Sequence, residues 1–428
     1  MAAVTVDATA FTGPDARSDA NASALATLSV AASDDTTAHV IIGHFSHSGT
    51  VGDPVDVEAH ASDHGAGNAL ASARTKVQAG AGTIAAVFGG SLTDVASANN
   101  WGNGAAIAFA KTTASALAEI GGSVHIDGDI LVVANARDWT GDAASADASL
   151  TLRAAGFING VITVTGDIAI IANAENAVDG NAISRAALDV IASGSNEIVQ
   201  LGNVLVDASA SEQAIGLASA LAVRNIQTPL PSLSGTSFSG VREIRIGSLV
   251  DRASAINFGG GTVRALASAN LQAGGALHVG GGIRDAANAL LLSGGAMTDA
   301  IASACAVLAV LSSGDITIAG DIEASGHAAG AAVDVARANT VITANLTSGS
   351  VFVNGQITGF ATASGGSNHA SAVLKMDAHG ITSGGELGLG DPIMRARAGS
   401  AVAEWLVDSS GTAASGGAFV RVNIPPGF

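Results

Sequence analysis

Apolar and polar residues alternate along most of this 428-residue chain, in short bursts separated by Gly, Asn and Asp. In GDIAIIANAENA, residues 166–177, every second position is apolar, and these positions shrink from Ile168 and Ile170 to Ala172 and Ala174. A period of two predicts a strand with one buried face. The shrinkage predicts that the space being filled narrows. The pattern recurs as VTVDATA from Val4, VDVEAHA from Val55, LTDVASA from Leu92, ILVVANA from Ile130, IAIIANA from Ile168 and VLVDASA from Val204. It continues as LVDRASA from Leu249, IRDAANA from Ile283, IEASGHA from Ile322, ITGFATA from Ile357 and PIMRARA from Pro392. These eleven units start 51, 37, 38, 38, 36, 45, 34, 39, 35 and 35 residues apart, a period of about 37 with two long members. A fixed period in this range marks a solenoid or array.

Each unit carries three strand-like pieces in a fixed order. A second piece, such as ADASLTLRA at 146–154 or AALDVIA at 186–192, follows a Gly-, Asn- and Asp-rich loop. The third, such as SVHIDG at 123–128, DITIAG at 315–320 or SVFVNG at 350–355, runs into the next unit through one Gly. Those corner positions are Gly90, Gly128, Gly166, Gly202, Gly247, Gly281, Gly320, Gly355 and Gly390. Three strands per unit without a helix-length connection predict an all-β, single-stranded parallel β-solenoid, each strand pairing with its equivalent one rung away. About eleven rungs at a rise of about 4.8 Å make a rod roughly 50 Å long. Ala-rich helices are the competing reading for segments such as AIASACAVLAVL, but the period of two and the Gly corners weigh against them. Inward residues run large then Ala along the first strand and Ala then large along the second, so the expected cross-section is a wedge with an Ala-rich tip. The chain reads as one continuous solenoid over 1–428, with longer loops near 30–54 and 225–241.

Composition fits thin, closely spaced layers. Gly numbers 55, Tyr is absent and aromatics are 3%, while 48% of residues are apolar. A net charge of −18 with only 18 Lys plus Arg excludes a phosphate-binding face, so no nucleic-acid partner is expected. One cysteine, Cys305, excludes a disulfide framework. The N-terminus shows no secretory leader, and the most apolar run, 300–311, is too short to span a bilayer, so no membrane insertion is expected.

Several side chains carry candidate chemistry. The ninth residue after each unit start lies in the loop at the tip, and there His64, Trp101 and Trp139 occupy three consecutive units, with Phe258 and Leu292 later. Stacked at one rung spacing, His64, Trp101 and Trp139 form a candidate ligand-binding column for saccharides; the plainer reading is a plug at the end of the core. His39, His44, His47, His60 and His64 cluster in sequence, but they fall on different parts of the coil, so no metal site is assigned. The second inward position of the first strand is Asp94, Asp251 and Asp285 in three units, with Arg252 and Arg284 beside the last two. Carboxylates on neighbouring rungs can build an acidic or calcium-binding site. The alternative is a local bulge turning each Asp outward to its Arg. Asp129, Asp167, Asn203, Asp321 and Asp391 follow corner glycines and can hydrogen-bond along the stack or hold calcium. Calcium is therefore optional, and no cofactor is required. No nucleophile elbow, phosphate loop or HExxH motif is present, and no enzymatic activity is expected.

The recurring G-x-V-x-V-x-G-x-I corners, the Ala, Ser, Gly and Asn bias and the acidic, Cys-poor composition resemble the filamentous-haemagglutinin-type and autotransporter β-solenoid adhesins of bacteria. The resemblance covers the whole chain as a style of repeat. It implies a secreted, right-handed β-helix at the cell surface. The units here are longer than that family's usual coil, and no secretion-domain signature is present. The sequence runs from a first strand at Val4 to a third strand, AFVRVNI at 418–424, a whole number of rungs with no evident cap beyond Pro425 and Pro426. Uncapped rungs predict head-to-tail stacking of copies into a surface filament or matrix fibre. The alternatives are an adhesin or carbohydrate-binding rod using the tip loops, with glycans or cell-surface components as partners, and a β-helix polysaccharide lyase or hydrolase around Asp251 and Asp285.

Overall fold

The computed structural model describes residues 4–13, 21–42, 54–140, 142–228, 241–292, 301–330, 333–345, 351–364, 367–379, 387–389, 392–398 and 400–410. All described secondary structure is β, arranged as three parallel sheets of eleven, eleven and ten strands. Each unit gives one strand to each sheet in turn, so every strand lies beside its equivalent from the next unit. Ile130–Asp138, for example, sits between Leu92–Asn100 and Ile168–Asn176, with Ile130 opposite both Leu92 and Ile168. The chain is therefore a parallel β-solenoid with three strands per turn. All eleven unit starts read from the sequence fall in register in the first sheet, from Val4 opposite Val55 to Ile357 opposite Pro392.

Alternation sets the register, because a one-residue slip would turn every apolar side chain outward. Seven consecutive turns, Val55 to Ile318, have buried inward positions on all three strands. The first turn is open: Val4–Thr12 has no buried residue, and Ala22–Asp34 is buried only over its first half. An end strand is covered from one side alone. The closed part of the coil is thus about seven turns, a correction to the expected eleven; the flanking strands continue the pairing without forming closed turns among the described side chains.

Strands are longer than the sequence pattern indicated. First-sheet strands run nine residues in the closed part, and second-sheet strands such as Ala143–Ala155 and Gly180–Ser193 run thirteen and fourteen. The expected loop near 30–54 is strand as far as Ile42, through Ala22–Asp34 and Thr37–Ile42. Its remainder, 43–53, lies outside the described residues, as do 229–240 of the second long loop and the expected last strand at 418–424.

Two columns of alanine run through the closed turns. The inward column at the fifth strand position is Ala59, Ala96, Ala134, Ala172, Ala208, Ala253 and Ala287, and that at the seventh is Ala61, Ala98, Ala136, Ala174, Ala210, Ala255 and Ala289, all buried. Opposite them the second-sheet strands begin with Ala69, Ala71 and Ala73, then Ala106, Ala108 and Ala110, then Ala144, Ala146 and Ala148. Larger residues fill the other ends, as Ile168, Ile170, Leu188 and Val190 do.

Corner glycines are dictated by the close approach of successive turns. A Cβ on Gly202 would lie 2.2 Å from the carbonyl oxygen of Gly166, and one on Gly166 would lie 2.2 Å from Asp129 Oδ1. Only a residue without a side chain fits there.

Candidate functional site

Three ladders of side chains climb the coil. The first follows the corner glycines. Ser91 Oγ accepts the Asp129 N–H at 3.2 Å, Asp129 Oδ1 accepts the Asp167 N–H at 2.8 Å, and Asp167 Oδ1 accepts the Asn203 N–H at 3.0 Å. Asn203 Oδ1 in turn accepts the Ser248 N–H at 3.0 Å and its hydroxyl at 2.8 Å, and Asp321 Oδ1 accepts the Gln356 N–H at 2.7 Å. These Asx oxygens therefore satisfy the corner amide of the following turn, the hydrogen-bonding role expected of them. Asp391 lies outside the described residues.

The second ladder was not singled out in the sequence. The ninth residue of the first strand, immediately before the expected aromatic column, is Asp63, Asn100, Asp138, Asn176, Glu212 and Asn257 in six successive turns, all 0% exposed. Each folds back onto the loop that follows it. Asp63 accepts the Gly65 N–H at 2.7 Å, Asn100 that of Gly102 at 3.0 Å, Asn176 that of Val178 at 3.1 Å and Glu212 that of Ala214 at 3.2 Å. Asp138 takes three amides, from Thr140, Asp142 and Ala143, at 3.0–3.1 Å. Asn257 both accepts from Gly259 and Gly260 and donates to the Gly216 and Gly260 carbonyls. A tight loop leaves its amides without strand partners, and a short oxygen-bearing side chain at its base supplies them. Acid and amide alternate up this ladder. Burial raises the Glu212 carboxyl to about 7, with the carboxylates of Asp179 and Asp138 adding to the rise. Its sequence signal is a D, N or E directly before each loop, hidden because the strand was read as seven residues instead of nine.

The third ladder is the expected aromatic column, and the structure brings its members together. His64 and Trp101 stack with ring centres 5.7 Å apart and planes 7° from parallel; Trp101 and Trp139 stack at 4.7 Å and 14°. Phe11 adds a tilted ring at 5.1 Å from His64. Arg137 lays its guanidinium 4.1 Å from the centre of Trp139 while pairing at 2.9 Å with Glu175, one turn further on. That places the cation on the face of Trp139 turned away from Trp101. Ala177 and Gln213 follow in the same position, so Phe258 is separated from the column by two turns. Both faces of Trp101 and both faces of Trp139 are thus occupied from within the chain. A saccharide platform needs a free ring face; this column presents ring edges. Its geometry is that of an internal seam, stabilised by stacking and one cation–π contact, each worth about 0.5–1.5 kcal/mol.

The carboxylates on the first strands point inward. Asp94, Asp251 and Asp285 are each 0% exposed, which overturns the bulge that would have turned them out to Arg252 and Arg284. Their partners come across the core. Asp94 accepts hydrogen bonds from the Thr75 N–H at 3.1 Å, the Thr75 hydroxyl at 2.6 Å and the Thr112 hydroxyl. Burial raises its carboxyl to about 6 despite those bonds. Arg224, in the inward position that Leu188 fills one turn earlier, places Nη2 2.9 Å from Asp251 and 3.9 Å from Asp285. Burial pushes both carboxyls up, Asp285 further because the Asp251 carboxylate adds to it. Arg284 pairs outside with Glu323 at 3.4 Å. Asp251 and Asp285 are thus sealed inside the coil.

The clustered histidines separate in space. His39 faces Phe88 on the third sheet, His60 pairs with Glu58 at 3.3 Å, and His64 joins the aromatic column, while His44 and His47 lie outside the described residues. Among the described residues no group of three or more His, Cys, Asp or Glu is placed to hold a metal ion. A shallow pocket on the outer face of the first sheet is lined by Asp321, Glu323, Gln356, Thr358, Phe360, Ile393 and Arg395. No helix among the described residues is long and apolar enough to cross a membrane. No protein-family model matches the chain, and no curated protein and no solved structure matches it significantly.

Proposed function

We propose that the chain is a structural rod that stacks end to end with copies of itself into a bacterial surface filament or matrix fibre, outside the cell, with no catalytic step and no required cofactor. One observation carries this reading. Among the described residues, Val4–Thr12, Ala22–Asp34 and Thr37–Ile42 each pair with a strand on one side only, leaving one edge of each sheet unpaired there. On these strands the core-facing Val6, Ala8, Ala10, Leu28, Val30 and Ala32 are only partly buried. An open parallel edge with apolar side chains is a template for a further turn of the same kind, and head-to-tail addition of that sort does not close. In this reading the coil winds to the right and its cross-section tapers to an alanine tip. The right hand is supported by the general rule for crossovers between parallel strands of one sheet, and the taper by the paired alanine columns. The resemblance to bacterial solenoid adhesins supports the extracellular position.

Negative-stain microscopy of the purified chain tests the proposal: rods that lengthen with concentration are expected, and short rods of constant length at high concentration overturn it. Glycan binding through His64, Trp101 and Trp139 is the second reading, favoured by Trp101 being 47% exposed but opposed by its covered faces. Glycan-array binding by the intact chain that disappears in Trp139→Ala would restore it.

A further inference from the structure

The two ends of the described coil differ in charge. In the first sheet, the strand Val4–Thr12 at one edge carries Asp7 and no cation, while Pro392–Arg397 at the other carries Arg395 and Arg397 and no acid. Asp7, Arg395 and Arg397 are exposed, and among the described residues none of them has an ion pair. Asp7 lies directly beside Glu58, so that edge is acidic over two strands. The second sheet reverses the polarity. Its last strand, Ser400–Ser410, carries Glu404 and Asp408 and no cation, whereas Ala69–Ala81, second from the other edge, carries Arg74 and Lys76 and no acid.

Register decides which of these residues two joined ends set opposite each other. Described first-sheet strands match unit start to unit start, as Val4 with Val55, Ile130 with Ile168 and Ile357 with Pro392. A further copy added in that register sets Val4 against Pro392, Asp7 against Arg395 and Ala8 against Ala396. Ala8 and Ala10 at one end, like Ala396 and Ala398 at the other, are core alanines left only partly buried, and the joint covers both sets. In the second sheet the same continuation brings Glu404 to Thr27, with Arg74 and Lys111 next in that column. The chain itself shows what an Arg and an acid do at one register position on neighbouring strands. Arg137 and Glu175 pair at 2.9 Å, Arg284 and Glu323 at 3.4 Å, and Arg185 and Asp147 at 3.6 Å. Arg395 set against Asp7 repeats that arrangement and offsets the repulsion between Asp7 and Glu58. Interior first-position amides reach the following turn, as the Ile130 N–H does to the Asp167 carbonyl at 2.9 Å, so Pro392 leaves the joint one bond short of an interior rung.

From this complementarity we infer that the partner surface for each end is the opposite end of a second copy, joined in the coil's own register with Arg395 of one copy against Asp7 of the next. The inference rests on the end-to-end reading above and adds the contact that sets its direction, since head-to-head joining sets acid against acid. Rod growth of the full chain, followed by negative-stain microscopy and sedimentation, tests it. Asp7→Arg alone and Arg395→Asp alone should each raise the concentration needed for growth about tenfold, with unchanged circular dichroism because both residues are exposed. An equimolar mixture of the two variants should grow at the wild-type concentration, because every joint between unlike copies pairs opposite charges; the double variant should do the same. Wild-type chains that do not lengthen overturn the end-to-end reading and this joint with it. Wild-type rods that lengthen while the mixture and the double variant do not overturn the joint alone. Rescue of Asp7→Arg by Arg397→Asp instead of Arg395→Asp overturns the register, because it places the strands two residues out of step.

Discussion

Replacing Arg224 by leucine removes the only cation near two buried carboxylates among the described residues, and the consequence can be worked from the distances. At an effective dielectric constant near 20, the 2.9 Å contact to Asp251 contributes about 6 kcal/mol and the 3.9 Å contact to Asp285 about 4. The second figure applies only while Asp285 is ionised, and burial together with its hydrogen bond to Asp251 raises that carboxyl well above the ordinary range, so the pair shares a proton. Against that net attraction stands the removal of the ions from water, several kcal/mol each, so the triad as a whole is near break-even. Losing one member is another matter: Arg224→Leu should cost about 3–5 kcal/mol at pH 7. Leucine itself fits, since Leu188 holds the equivalent position one turn earlier. Arg224→Leu with Asp251→Val and Asp285→Val rebuilds the apolar column begun by Val206, and should return stability to the wild-type level or above it. Urea unfolding followed by far-ultraviolet circular dichroism measures both. The single variant should recover in acid, because carboxyls raised by burial stabilise the fold when protonated and lose that contribution as pH rises through their folded values. A single variant within 1 kcal/mol of wild type, or a triple variant as unstable as the single, would refute the electrostatic reasoning.

Asp94 predicts a pH slope of its own. Its carboxyl rises from 3.8 to about 6 on folding, so its contribution is complete below about pH 4 and lost by about pH 7, a difference of about 3 kcal/mol; Asp94→Asn should flatten that part of the stability–pH curve. Ala172→Leu forces extra volume into a fully buried column and should cost about 1–3 kcal/mol, so an unchanged melting temperature would count against the close packing there. Gly202→Ala meets the Gly166 carbonyl and should lower the melting temperature by several degrees, whereas substitution at Gly80, which has open space around it, should not. Chelation with EDTA should leave the melting temperature unchanged, because the corner Asx oxygens already accept backbone amides.

What the sequence made legible was whatever repeats along the chain at short range. Alternation located the strands, and the spacing of Val4, Val55, Leu92 and their successors predicted the pairing partner of each, because a parallel coil sets equivalent residues side by side. What stayed hidden depends on contacts across the coil. Asp251 and Asp285 looked like surface residues beside Arg252 and Arg284 because those arginines are adjacent in sequence; the true partner is Arg224, on another sheet. Its inward parity with Ala222 and Ile226 was the available signal. Likewise Asp63, Asn100 and Asp138 escaped notice because a buried polar residue looks like the start of a loop until the loop amides it binds are seen.

The alternation of Asp63, Asn100, Asp138, Asn176, Glu212 and Asn257 imposes a step size on any change in length. Excising residues 92–129 would bring Asp63 against Asp138, two sealed acids at about 4.8 Å, whereas excising 92–167 would bring Asp63 against Asn176 and preserve the order. Coils of this kind should therefore shrink or grow by pairs of units more readily than by one, with the shorter deletion melting at a lower temperature than the longer.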